Sequence, residues 1–352
     1  MSDDHSRLLA YARPGFEGDL AAEIMDRTAR VDVAGFCRTE PGLVEFEAVT
    51  GDASTAWREM EWRTLVFARQ WLLLVNEVEG LPEDDRAGPL AASVVDRLTA
   101  ASDLFLEYPD TNDGKGLSRF CRRFRGPLQR RLLDAGVRLD ADGSPRLHVL
   151  FTDSRHARIA ISAPENSAPW PLGIPRLRMP GGAPSRSTLK LDEAIRTFLG
   201  SEDEERWFRA GMTAVDLGAA PGGWSWQLAR RGLRVTAVDN GPMDTALLDG
   251  GLVEHVRADG FRFRPRGTVD WLVCDIVEQP HRIARLMADR LRRGDCRGAI
   301  FNLKLPMKRR YIAVCQALEA VREAVDDEHR IACKQLYHDR EEVTVCVRPA
   351  TA

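Results

Sequence analysis

The stretch "AVDLGAAPGGWSWQLARRG", residues 214–232, decides the fold of the C-terminal half of the chain. Ala214 to Leu217 read as a short buried strand, Gly218 to Gly223 as a turn, and Trp224 onward as a helix with a basic tail. Glycines let the backbone approach a ligand, and the helix N-terminus that follows favours electron-rich groups. The spacing is Gly-x-x-x-Gly-Gly, not the Gly-x-Gly-x-x-Gly of dinucleotide sites, and Pro221 removes an amide that a pyrophosphate would use. The next strand, "RVTAVDN", ends at Asp239, where a carboxylate can accept both hydroxyls of a ribose. Together these features favour an adenosine-bearing ligand without a pyrophosphate, S-adenosyl-L-methionine. Glycines that merely turn the chain are the plainer alternative.

Outward from this turn, strands and helices alternate from Thr188 to the C-terminus: "TLKLDEAIRTFL" helical, "VDWLVCDI" a strand, "HRIARLMADRLRR" helical, "GAIFNLKL" a strand and "RRYIAVCQALEAVREAV" helical. That order predicts an α/β class, a doubly wound and mainly parallel sheet. The final "EEVTVCVRP" follows the short connector "KQLYHDRE" and is expected as an antiparallel strand at the sheet edge. Upstream, "PENSAPWPLGIPRLRMPGGAPSRS", residues 164–187, is too rich in proline and glycine for long regular structure and marks the main boundary. Before it come two mixed α+β blocks. The first includes a strand-like run, "TLVFARQWLLLV". The second includes an arginine-rich helical stretch, "LSRFCRRFRGPLQRRLLDAG", expected to break at Gly126-Pro127.

Composition narrows the class. With 44% hydrophobic and 29% charged residues the chain reads as globular, and no apolar run approaches the length of a membrane span. Met1 to His5 carry neither a basic nor an apolar leader segment, so a cytoplasmic location is expected. Seven cysteines without a Cys-x-x-Cys pair argue for free thiols, and no metal site is expected. The net charge of −3 gives no global case for polyanion binding. Between Lys115 and Arg131, however, stand Arg119, Arg122, Arg123, Arg125 and Arg130, with no acidic residue among them. That run is either a solvated helical face or a patch that tracks phosphates.

In an open α/β sheet the site lies at the carboxyl ends of the strands. Asp275 ends "VCDI" and Lys304 ends "FNLKL", each a charge closing an apolar run. Lys190, before the first strand, and Glu342, at the start of the last, could complete a Lys-Asp-Lys-Glu cluster, although each alone reads as a surface charge. Such a cluster suits proton removal from a hydroxyl beside a sulfonium methyl donor, provided that a lysine is neutral when it acts. Asp259, in "RADGF", could contact an adenine amino group, or serve only as a turn residue.

"PSRSTLKLDEA", "DLGAAPGGWSWQL", "VDNGPM", "FNLKLPMKRRY" and "QLYHDREEVTV", together with "RPGFE", "FARQW" and "DTNDGK", resemble the RlmM family of bacterial ribosomal-RNA ribose 2′-O-methyltransferases, relatives of FtsJ-type enzymes. The resemblance spans nearly the whole chain. It implies a ferredoxin-like domain over 1–78, a THUMP RNA-binding domain over 79–165, a linker over 166–187 and a Rossmann-like methyltransferase domain over 188–352. It further implies methylation of a cytidine ribose in 23S ribosomal RNA; the sequence leaves the oligomeric state open, with a monomer expected. Carried over by motif, Lys304 is the proton acceptor and Lys190, Asp275 and Glu342 complete the catalytic set, with adjacent Glu341 open as an alternative. Ser187, Ala220, Pro221, Gly222, Gly223, Asp239, Asp259 and Asp275 match cofactor positions. In a THUMP domain Arg122, Arg123 and Arg125 become candidate RNA contacts. The competing classes are an assembly factor with a weakly active methyltransferase fold, a 2′-O-methyltransferase of another RNA, and a nicotinamide oxidoreductase, which the loop spacing disfavours.

Overall fold

The computed structural model describes residues 6–200 and 204–351, in two compact units that divide after Pro175. Met1 to His5, the stretch read for a leader, lie outside the described residues. No helix among the described residues is long and apolar enough to cross a membrane.

The first unit runs β1 (Arg7–Tyr11), α1 (Glu17–Ala29), β2 (Ala34–Glu40), β3 (Leu43–Thr50), α2 (Ala53–Glu59) and β4 (Gln70–Val78). It continues with α3 (Ala87–Val95), β5 (Leu104–Glu107), α4 (Ser118–Asp134), β6 (Arg146–Asp153) and β7 (His156–Ser162). One seven-stranded sheet, β2-β3-β1-β4-β7-β6-β5, passes through both blocks. Its first four strands are all antiparallel, the split arrangement of a ferredoxin-like fold, and β4 then pairs with β7 of the second block. The strand expected from residue 64 begins only at Gln70. The buried carboxylate of Glu23 accepts the N–H groups of Val66 at 2.6 Å and Phe67 at 2.9 Å and so occupies the donors a sheet would have used.

The helix expected to break at Pro127 does not break: α4 is continuous from Ser118 to Asp134. Gly126 has no Cβ to collide with the proline ring, Pro127 faces solvent, and Cys121, Leu128 and Leu132 anchor the opposite face in the core. The first half of the expected linker is likewise packed into this unit. Asn166 accepts from the Trp62 N–H at 2.7 Å, and the Ala168 N–H donates to Gln70 at 3.0 Å. Glu107 joins the two blocks, taking the Tyr11 hydroxyl at 2.7 Å and lying 2.9 Å from His148, whose other nitrogen is 2.9 Å from Ser162. Glutamate, histidine and serine are all sealed from solvent, so this group acts as a structural hub and offers no nucleophile.

The second unit runs α5 (Thr188–Leu199), α6 (Glu204–Trp207), β8 (Thr213–Leu217), α7 (Gly223–Arg230), β9 (Arg234–Val238), α8 (Thr245–Asp249) and β10 (Val253–Val256). Then follow β11 (Val269–Cys274), α9 (Pro280–Arg292), β12 (Cys296–Lys304), α10 (Arg310–Arg322), β13 (His329–Lys334) and β14 (Glu342–Pro349). The strand order is β10-β9-β8-β11-β12-β14-β13, with the first five strands parallel. The last strand is antiparallel, as expected, but it is not at the edge: β14 inserts between β12 and β13. Val343 to Val347 are apolar on both faces apart from Thr344 and fully buried, which suits an inner strand, whereas the half-exposed β13 takes the edge.

Candidate functional site

The turn after β8 is shaped by glycines. Gly218 has φ 78° and Gly222 has φ 118°, both in the region that favours glycine. A Cβ on Gly223 would stand 2.2 Å from Ser187 Oγ and 2.4 Å from Ser185 Oγ, so the start of α5 lies directly against the start of α7. Asp239 ties this turn to the end of β9, accepting the N–H of Ala220 at 3.1 Å and of Gly241 at 2.7 Å. Asp259 is exposed and accepts the Phe261 N–H at 2.9 Å, which makes it the opening residue of a turn. Its neighbour Gly260 packs on Leu217 and Ile276, beside the glycine turn.

Beneath the turn Asp216 is fully buried. One carboxylate oxygen accepts from Ser225 at 2.7 Å and the other has no partner among the described residues. Burial, with Asp275 and Asp239 nearby, pushes its pKa up to about 7. Asp239, Asp259 and Asp275 thus set carboxyl groups at adjacent strand ends above the buried Asp216, surroundings that suit a cation better than a phosphate. S-adenosylmethionine carries both an ammonium and a sulfonium, and the glycine turn, the orphaned acceptor and the acidic rim fit it.

The four residues of the expected cluster converge. Lys304 ends β12 and Glu342 starts β14, and the antiparallel register sets them directly opposite each other. The Lys190 ammonium lies 2.5 Å from one Glu342 oxygen and 3.2 Å from Asp275, and the Lys304 ammonium donates to the other Glu342 oxygen. Glu342 is 1% exposed, Lys190 16% and Lys304 32%, so Lys304 is the member that faces outward. Burial raises the Glu342 pKa, but the two ammoniums outweigh it and hold the carboxyl below its ordinary value. Burial lowers Lys190, yet the Asp275 and Glu342 charges prevail and raise it, so Lys190 stays protonated. Asp275 is pushed up, chiefly by burial. Glu341 points away and pairs with Arg310 at 3.2 Å, leaving Glu342 as the glutamate of the cluster.

A second layer lies behind these groups and was not foreseen from sequence. Asn302 donates to Asp275 at 2.8 Å, and Thr344, opposite it in the ladder, donates to Asn302 Oδ1 at 2.7 Å. Thr344 also lies 3.0 Å from the buried carboxyl of Asp339. Its single hydroxyl hydrogen cannot serve both oxygens. Asn302 must use its amide N–H on the Asp275 carboxylate, so Thr344 donates to Asn302. Asp339 Oδ2 accepts the Leu336 N–H at 3.0 Å, and Asp339 satisfies the geometry by being protonated on Oδ1, 3.3 Å from Thr344, and donating to it. Burial first, then Glu342 and Glu193, push the Asp339 pKa well above the carboxylate range, in agreement. The available signal was alternation: Asn302 and Thr344 each stand two residues from a cluster member, on the same strand face.

Arg122, Arg123 and Arg125 lie on the exposed part of α4, in the first unit. None of the three joins an ion pair among the described residues. No group of His, Cys, Asp and Glu residues among the described residues could hold a metal ion.

A doubly wound sheet with its seventh strand antiparallel, a glycine turn ringed by carboxylates and a strand-end Lys-Asp-Lys-Glu group define an S-adenosylmethionine-dependent methyltransferase. Residues 183–346 match the model described as FtsJ-like methyltransferase. Residues 5–72 match the RlmM ferredoxin-like domain, and residues 85–163 the N-terminal part of ribosomal RNA large subunit methyltransferase M. The chain is 52% identical to "Ribosomal RNA large subunit methyltransferase M" of Azoarcus sp. (strain BH72), over 96% of this chain and 95% of that protein. It is 49% identical to the protein of that name in Azotobacter vinelandii, over 98% and 99% of the two chains. The chain belongs to the RlmM family.

Proposed function

We propose that this enzyme methylates the 2′-oxygen of a cytidine ribose in large-subunit (23S) ribosomal RNA, with Lys304 as the proton acceptor. The observation that carries the reading is the outward-facing Lys304 ammonium held by a buried Glu342 that also holds Lys190. S-adenosylmethionine supplies an electrophilic methyl carbon on its sulfonium. After its ammonium has released one proton to water, Lys304 takes the proton of the attacking hydroxyl as the oxygen–methyl bond forms, and Glu342 stabilises the ammonium so restored. Lys190, kept protonated, and Asp275, braced by Asn302, hold fixed charges around the reacting hydroxyl. Asp239 receives the ribose of the methyl donor, and the 218–223 turn receives its methionine end.

The printed names of the relatives and the exposed arginines of α4 support the RNA substrate. In this reading residues 79–165 form the RNA-binding THUMP domain, with Arg122, Arg123 and Arg125 on phosphates. The protein works as a cytoplasmic monomer. The test is a map of ribose methylation in ribosomal RNA from cells with the gene, without it, and complemented by Lys304→Ala. One large-subunit cytidine should lose its methyl group on deletion and not regain it with the variant. An unchanged map would refute the reading.

A further inference from the structure

Between α9 and α10 lies a cleft of about 850 Å³ lined at one point by Lys304. Ala284 of α9 and Ala313 and Ala317 of α10 line it with short side chains, and Gln316 adds an amide. Val277 also lines it, from the loop after β11, and is 78% exposed. On the loop after β12, one residue beyond the lining Pro306, Met307 is 90% exposed. Two large apolar side chains therefore stand in water on the loops that carry Asp275 and Lys304. Apolar surface left so exposed is recovered when a ligand packs on it.

The charge of the surroundings selects that ligand. Glu278, the acidic lining residue, is already paired with Arg282. Arg285 at the cleft and Lys308 and Arg309 after Met307 are exposed and hold no ion pair among the described residues. Arg310, by contrast, is engaged by Glu341. Apolar lips, the amides of Gln279 and Gln316 and free cations around a lysine that meets a ribose match a single RNA strand with a splayed base.

We propose that this cleft binds the nucleobase next to the methylated ribose, with Val277 and Met307 packing on the base, Gln316 at its edge, and Arg285, Lys308 and Arg309 on the flanking phosphates. The inference rests on the ribose-methylation reading and assigns the segment of RNA that sets register at Lys304. Free bases in loops and bulges fit such a cleft, whereas a paired helix keeps its bases stacked inside.

The experiment uses the full-length protein, unmodified large-subunit ribosomal RNA transcript and labelled methyl donor. Val277→Ser with Met307→Ser changes two solvent-facing residues, so folding is preserved. This double variant should raise the KM for RNA at least about tenfold, the loss expected when two apolar side chains each give up about half of their packing on the base. Its affinity for S-adenosylmethionine, read by calorimetry, should match wild type. Gln316→Ala should flatten the response to base changes on either side of the methylated position. A KM within about twofold of wild type for the double variant, while wild type methylates the transcript, overturns the cleft assignment and leaves the activity intact. Wild-type protein that does not methylate the transcript overturns both.

Discussion

Asp339 offers a sharp test of the layer behind the Lys-Asp-Lys-Glu cluster, because its protonation follows from counting hydrogens. Thr344→Val keeps the shape and removes the hydroxyl, which strips a partner from Asn302 Oδ1 and from Asp339, both sealed from water. Leaving a buried polar group unpaired costs about 1–3 kcal/mol, so with two such groups the full chain should lose about 2–6 kcal/mol, read as a lower urea midpoint by tryptophan fluorescence. Asp339→Asn behaves differently. With its amide nitrogen at the Oδ1 position, 3.3 Å from the Thr344 hydroxyl, and its oxygen at the Oδ2 position still accepting the Leu336 N–H, it should stay within about 1 kcal/mol of wild type near pH 5. The pH dependence has a definite sign. A carboxyl whose native pKa is raised contributes fully below its unfolded pKa and loses that contribution as pH rises through the native value. The asparagine does not titrate, so Asp339→Asn should gain on wild type as pH increases from 5 to 8. Glu342 and Glu193 face Asp339 and strengthen the effect, and Lys190 opposes it. An Asp339→Asn protein as unstable as Thr344→Val across that range would mean that Asp339 acts as an anion, and the relay would be wrong.

Lys304→Ala should reduce methylation by about 10²–10⁴-fold, the usual worth of a general base, while calorimetry finds S-adenosylmethionine affinity near wild type. Turnover that survives would remove Lys304 as proton acceptor. Glu342→Ala leaves two lysines without their shared carboxylate and should abolish turnover. Glu341→Ala breaks only a surface pair worth about 0–1 kcal/mol and should turn over like wild type. Equal losses in the two variants would refute the assignment within the pair. Replacing Arg122, Arg123 and Arg125 together by alanine should weaken RNA binding and lower the slope of log K against log salt by about 2 units. An unaltered slope would restore these arginines to a plain solvated face.

The sequence by itself determined what depends on neighbours along the chain. Alternating strands and helices after Thr188, the glycine turn at 218–223 and the charges that close apolar strands at Asp275 and Lys304 are local patterns with periods of two or about 3.6 residues. From them the sheet class, the glycine turn and the four cluster residues could be read, and the family resemblance covered the rest of the chain. Only the tertiary structure decided what depends on register and enclosure. Glu341 and Glu342 are identical in sequence terms, and the pairing of Lys304 with Glu342 turns one towards the lysines and leaves the other at the surface. β14 is an inner strand because β13 covers it, a fact that no periodicity in "EEVTVCVRP" encodes. Pro127 fails to break α4 because Gly126 relieves the clash and the core grips the opposite face. The protonated Asp339 and its link through Thr344 and Asn302 to Asp275 span residues from three strand regions, and only packing them away from water fixes where each hydrogen must go.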